Sequence, residues 1–135
     1  MAYFQYKPPT KPVILVDSRE KTPWTFQKYG VKVVFSGHRH ISTRSKELDG
    51  MTHIVHPSLA TYPMRYTVYE MTPKGLKWEV KDVPAPQEIW DLARKNFLAN
   101  KWWRGPDHPE TPEGNKKYLD FYESNWTMKG EVVFK

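Results

Sequence analysis

The chain has 135 residues, no cysteine, and a formal charge of +6 from 21 basic and 15 acidic residues. That length fits one domain with a real core, and the missing cysteines exclude disulfide scaffolds, thiolate zinc sites and cysteine nucleophiles. The positive balance favours anionic partners, phosphates or nucleic acid, without selecting between them.

In chain order, Lys7-Pro8-Pro9-Thr10-Lys11-Pro12 reads as extended and feeds Val13-Ile14-Leu15-Val16, a continuous aliphatic run of the kind buried on both faces of a sheet. Residues 17–23 read as a polar exit loop, after which Trp24 and Phe26 are placed to pack back on the sheet. Val31 to Phe35 is a second buried strand and 42–50 a polar connection. Thr52-His53-Ile54-Val55-His56-Pro57-Ser58-Leu59 reads as a third strand closed by Pro57. Arg65 to Met71 alternates, Pro73-Lys74-Gly75 supplies a turn, and Leu76 to Val83 places Leu76, Trp78 and Val80 on one face, which predicts an antiparallel hairpin. From Pro86 to Ala99 the period lengthens to about 3.6, with Ile89, Leu92, Ala93, Asn96 and Phe97 on one stripe of a helix. Thr111-Pro112-Glu113 opens a second helix that carries Tyr118, Leu119, Phe121 and Tyr122, and 128–134 reads as one more short strand.

The fold class is therefore α/β. Its frame is a mixed sheet of about five strands (Val13 to Val16, Val31 to Phe35, Ile54 to Leu59, Arg65 to Met71, Leu76 to Val83) followed by two helices that cover one face or trail the sheet. No apolar run approaches the roughly 20 residues needed to cross a bilayer and the N-terminus lacks a signal-peptide core, so a soluble, cytoplasmic chain with no membrane partner is expected.

The most chemically specific words are Gly37-His38-Arg39-His40, directly after the second strand. Two imidazoles one residue apart at a strand end can serve two adjacent metal ions, the glycine permits a sharp exit, and Arg39 between them can turn towards an anionic substrate. The plainer reading is a turn whose imidazoles hydrogen-bond backbone groups. His53 and His56, three apart on a strand, face opposite sides, so at most one of them adds a ligand to the same site. Read on their own, Asp17, Arg19 and Glu20 form a capped, salt-linked loop. Trp102-Trp103-Arg104 is either an aromatic-basic platform or a seal on a small core. No glycine-rich phosphate loop is present.

The run Val33-Val34-Phe35-Ser36-Gly37-His38-Arg39-His40, then His53 to Leu59, then the hairpin, resembles the C-terminal part of the calcineurin-like metallophosphoesterases over about residues 29–83. The resemblance implies that His38 and His40 each ligate one ion of a bimetallic Mn, Fe or Zn centre acting on a phosphate ester, and Arg39 between them is the candidate catalytic residue. The reaction would be metal-assisted hydrolysis. That family's remaining ligands are one further histidine and those of the Asp-x-His, Gly-Asp and Gly-Asn-His-Asp/Glu words, and none of the three words occurs here. The resemblance thus implies an incomplete sandwich with a half-site, an apolar sheet face open to self-association, and metal ions only if the site is completed.

Upstream, the run from Val13 to Phe26, which holds Val16-Asp17-Ser18-Arg19-Glu20, looks like the opening of an XPF/Hef-type nuclease domain, which implies Asp17, Arg19 and Glu20 as site residues of a DNA-binding fragment. The two resemblances meet near Gln27-Lys28-Tyr29-Gly30. They divide the chain into an N-terminal extension, 1–27, and a metallophosphoesterase-like segment, 28–135. Three functions stand side by side on these residues: a metallophosphoesterase-related segment, a nuclease-like or nucleic-acid-binding fragment, and a non-catalytic structural module.

Overall fold

The computed structural model describes residues 21–38, 40, 43–44, 50–100, 109–124 and 126–134. Its first element, helix α1 (Lys21–Lys28), lies partly in the stretch that sequence reading gave to a loop. Pro23 explains the difference. A proline in the first turn of a helix removes an N–H that has no partner within the helix anyway, so it marks a start and not a break. The helix ends on Gly30, at φ 70°, with Val31 N–H donating to Phe26 O (2.9 Å) and Gly30 N–H to Gln27 O (3.0 Å). These bonds occupy the last carbonyls through a left-handed glycine. Trp24 does not pack back on the sheet: it is 60% exposed, while Phe26 is half-buried.

Among the described residues the strands form two three-stranded sheets and not one mixed sheet. In the first, β1 (Val33–Ser36) runs parallel to β3 (Thr52–Val55) with Val33 opposite Thr52 and Phe35 opposite Ile54. The short β2 (Thr43–Arg44), in a region read as a connection, pairs antiparallel on the other side of β3. Central in this sheet, β3 is buried along its whole length. It stops at Val55 and not at Leu59, because the chain turns: Ser58 Oγ accepts from Ala60 N–H (3.3 Å) and Thr61 N–H (3.1 Å), a local bond that competes with a ladder.

The second sheet is antiparallel, in the order β4 (Arg65–Thr72), β5 (Gly75–Asp82), β6 (Lys129–Val133). The predicted hairpin is present, with Thr72 opposite Gly75 and the Thr72 hydroxyl accepting from Lys74 N–H at 3.2 Å. The predicted strand at 128–134 is β6, which pairs with β5 so that Gly130 lies opposite Trp78. Leu76, Trp78 and Val80 of β5 and Val132 of β6 face Ile54 of the first sheet and form one buried cluster, with Val33, Tyr69, Trp126 and Phe134 packed at its margin. Burying each such side chain contributes about 1.5–3 kcal/mol. This core holds the two sheets together.

Helices α2 (Gln87–Ala99) and α3 (Pro112–Ser124) trail the sheets and build a second cluster. Pro86 stands at the N-cap of α2 and Thr111 caps α3 by accepting from Gly114 N–H at 3.1 Å. The expected α2 stripe is only partly right: Phe97 is buried, but Ile89 and Leu92 are 45% and 53% exposed. α2 packs on Tyr62 and α3 through Phe97, while Trp90 meets the Tyr62 ring, so the buried stripe is rotated towards Trp90 and Phe97. No described helix is long and apolar enough to cross a membrane. Val13-Ile14-Leu15-Val16 and Trp102-Trp103-Arg104 lie outside the described residues.

Candidate metal corner

The Gly-His-x-His word leaves β1 at its C-terminal end, where Ser36 O accepts from His56 N–H at 2.7 Å. That bond places the backbone of His56 beside Ser36, the residue immediately before the word. Gly37 is followed by two histidines in left-handed backbone conformation, His38 at φ 75° and His40 at φ 57°. Such values are uncommon outside glycine, although histidine is among the residues that tolerate them. His38 is exposed and His40 half-buried. Burial lowers the His40 pKa, and the nearby His38 lowers it further by charge repulsion, so the ring favours its neutral, lone-pair-bearing form.

His56 is held in an aromatic group. Its ring lies 5.4 Å from Phe35 and 5.5 Å from Tyr69, Phe35 meets Tyr69 edge-on at 4.9 Å, and His56 Nε2 stands 3.5 Å from the Tyr69 hydroxyl. Burial lowers the His56 pKa and raises that of Tyr69. His53, on the central strand, is only 3% exposed, and its Nδ1 has no partner among the described residues. Arg39, Asp17, Arg19 and Glu20 lie outside the described residues.

Among the described residues no three His, Cys, Asp or Glu side chains stand together as a metal-holding group. A bimetallic centre needs a bridging carboxylate and several donors per ion, so the two imidazoles alone do not fit one.

Burial of His53 has a pH consequence. Its pKa lies below the ordinary value of 6.5, because the fold penalises the charged ring. Protonation therefore favours the unfolded chain. The stability held by the neutral ring is complete above the unfolded pKa of about 6.5 and is lost as pH falls from there through the folded value. His56 and His40 shift in the same direction. The urea midpoint is expected to be lower at pH 5 than at pH 7.5, and His53→Leu to flatten that dependence. A parent midpoint that stays level or rises on acidification would contradict a ring held neutral.

A concave region elsewhere has no signature in the sequence. A cleft of about 250 Å³ is lined by Tyr62, Asp82, Gln87, Trp90, Asp91 and Arg94. The Tyr62 hydroxyl donates to Glu123, and its pKa is pushed up to about 12, first by burial and then by that carboxylate. Asp82 is bound by Arg65 Nε at 2.7 Å, and the Arg65 guanidinium stacks over Trp126 at 4.7 Å. These residues come from four separate stretches of chain, so no local spacing announces them.

No protein family, curated protein or solved structure matches this chain.

Proposed function

We propose that the chain is a metallophosphoesterase-related segment that presents a His-x-His half-site, with His38 and His40 as nitrogen donors and phosphate esters as the substrate class of the completed centre. One observation supports this reading above the others: a strand paired in parallel runs into Gly37, and the two histidines that follow both adopt left-handed backbone. Two such residues in so short a span carry a backbone cost that an ordinary polar turn has no need to bear. Neutral imidazoles suit Mn, Fe or Zn without cancelling the charge that polarises a phosphoryl oxygen. The carboxylate donors of such a centre would come from polypeptide other than this sequence. Arg39 is proposed to face the substrate anion.

Metal analysis of the purified protein tests the half-site. The parent is expected to take up a divalent ion on titration with Zn or Mn, and His38→Ala and His40→Ala are each expected to weaken uptake tenfold or more. A parent that takes up none of these ions, or uptake that survives both substitutions, overturns the reading.

A further inference from the structure

The charge of this chain is not spread evenly. Residues 21–46 contain Lys21, Lys28, Lys32, Arg39, Arg44 and Lys46 and no aspartate or glutamate, which equals the whole net charge of +6; the other 109 residues hold 15 basic and 15 acidic side chains. A run of one sign over 26 residues inside an otherwise neutral chain is a local field, and a local positive field concentrates polyanions.

The described part of this run also carries exposed aromatic faces. Trp24 and Lys28 lie one turn apart on α1, and the Lys28 ammonium sits 5.2 Å from the Trp24 ring centroid and 5.9 Å from that of Tyr29. Trp24 is 60% exposed and Tyr29 76%. Lys32, exposed, follows two residues beyond Gly30. The glycine-terminated end of α1 fixes the geometry: Tyr29 N–H donates to Thr25 O at 3.1 Å, and the bonds from Gly30 and Val31 lock the turn beneath it. Two rings are thus held open to solvent with a cation between them. Among the described residues neither ring is a member of either buried cluster.

We propose that this end of α1 binds single-stranded nucleic acid, with Trp24 and Tyr29 as stacking faces for unpaired bases and Lys28 and Lys32 as phosphate contacts. Flat faces beside ammonium groups match a ligand that alternates flat bases with phosphates. Stacking needs bases that are not already stacked in a duplex, which favours single strands. The proposal is independent of the metal half-site, since none of its four residues is a metal donor.

The test is fluorescence anisotropy of the full chain with a labelled 20-nucleotide oligo-dT in EDTA, over 25–200 mM salt. Binding is expected to weaken with salt. Lys28→Gln with Lys32→Gln is expected to reduce the slope of log K against log salt by about 1.4, at roughly 0.7 per phosphate contact on a single strand. Trp24→Ala with Tyr29→Ala is expected to weaken binding at least tenfold at fixed salt while Trp24→Phe retains most of it, because a smaller ring still stacks. Circular dichroism is expected to be unchanged, since both rings are on the surface. Heparin and a 20-base-pair duplex supply the competing outcomes. Absence of oligo-dT binding at 25 mM salt, affinity unchanged by the double aromatic substitution, or an equal loss of heparin affinity in that variant would each overturn the proposal. The last would show a surface that senses charge without reading bases.

Discussion

Trp78→Ala is expected to cost about 3–5 kcal/mol of unfolding free energy, measured by urea denaturation. The indole is 4% exposed at the centre of the cluster that joins the two sheets, with Tyr69 opposite it on one neighbouring strand and Gly130 on the other. The same ring sets the cost of changing Gly130. Glycine inside a strand is worse than alanine by about 0.5–1 kcal/mol on backbone entropy alone, so Gly130→Ala should stabilise an isolated ladder. Here a Cβ at Gly130 would overlap the Trp78 ring, and the sign reverses to a loss of about 1–3 kcal/mol. The two positions are therefore coupled. In a Trp78→Leu background, Gly130→Ala is expected to be close to neutral, and a cycle in which the two costs simply add would show that the ring does not dictate the glycine.

Phe97→Ala is expected to cost a similar 3–5 kcal/mol through different neighbours. Phe97 is buried and stacks on Tyr118 with centroids 4.6 Å apart and planes within 3° of parallel; Tyr122 meets it edge-on at 4.8 Å and Tyr62 lies 5.8 Å away. None of these rings belongs to the sheet cluster. Losses in the two cores should therefore add to within about 0.5 kcal/mol, as for sites with no shared partners. Removing both large rings would consume most of the stability of a typical domain, so the milder pair Trp78→Phe and Phe97→Leu is the practical comparison. A strong interaction between them would mean that the helical cluster and the sheets stabilise each other more than their separate side-chain lists imply.

The elements with a clean period were legible in the sequence. Leu76, Trp78 and Val80 alternate with Lys77, Glu79 and Lys81, and the strand they predict is the one observed, down to the turn at Pro73-Lys74. α2 was legible for the same reason, yet its buried stripe was not, because period fixes that a helix has a face and not which neighbour covers it. α1 was hidden by Pro23, whose meaning depends on whether it stands in the first turn or later. The division into two sheets was invisible because strand patterns record burial but carry no label for the partner strand. At the candidate corner after β1, His38 and His40 could be found by local spacing. The enclosure of His53, and the convergence of Tyr62, Arg94 and Glu123, arise only from tertiary contacts between distant stretches.

The left-handed backbone at residues 38 and 40 sets durability against ligand capacity. Each histidine there holds a conformation that glycine occupies without penalty and that costs other residues about 1–2 kcal/mol. Exchanging either one for glycine should leave a sturdier native state in hand while discarding an imidazole, whereas valine or isoleucine would lose on both counts. A selection for heat resistance alone would be drawn towards glycine at this corner, and a selection for metal capture would resist it.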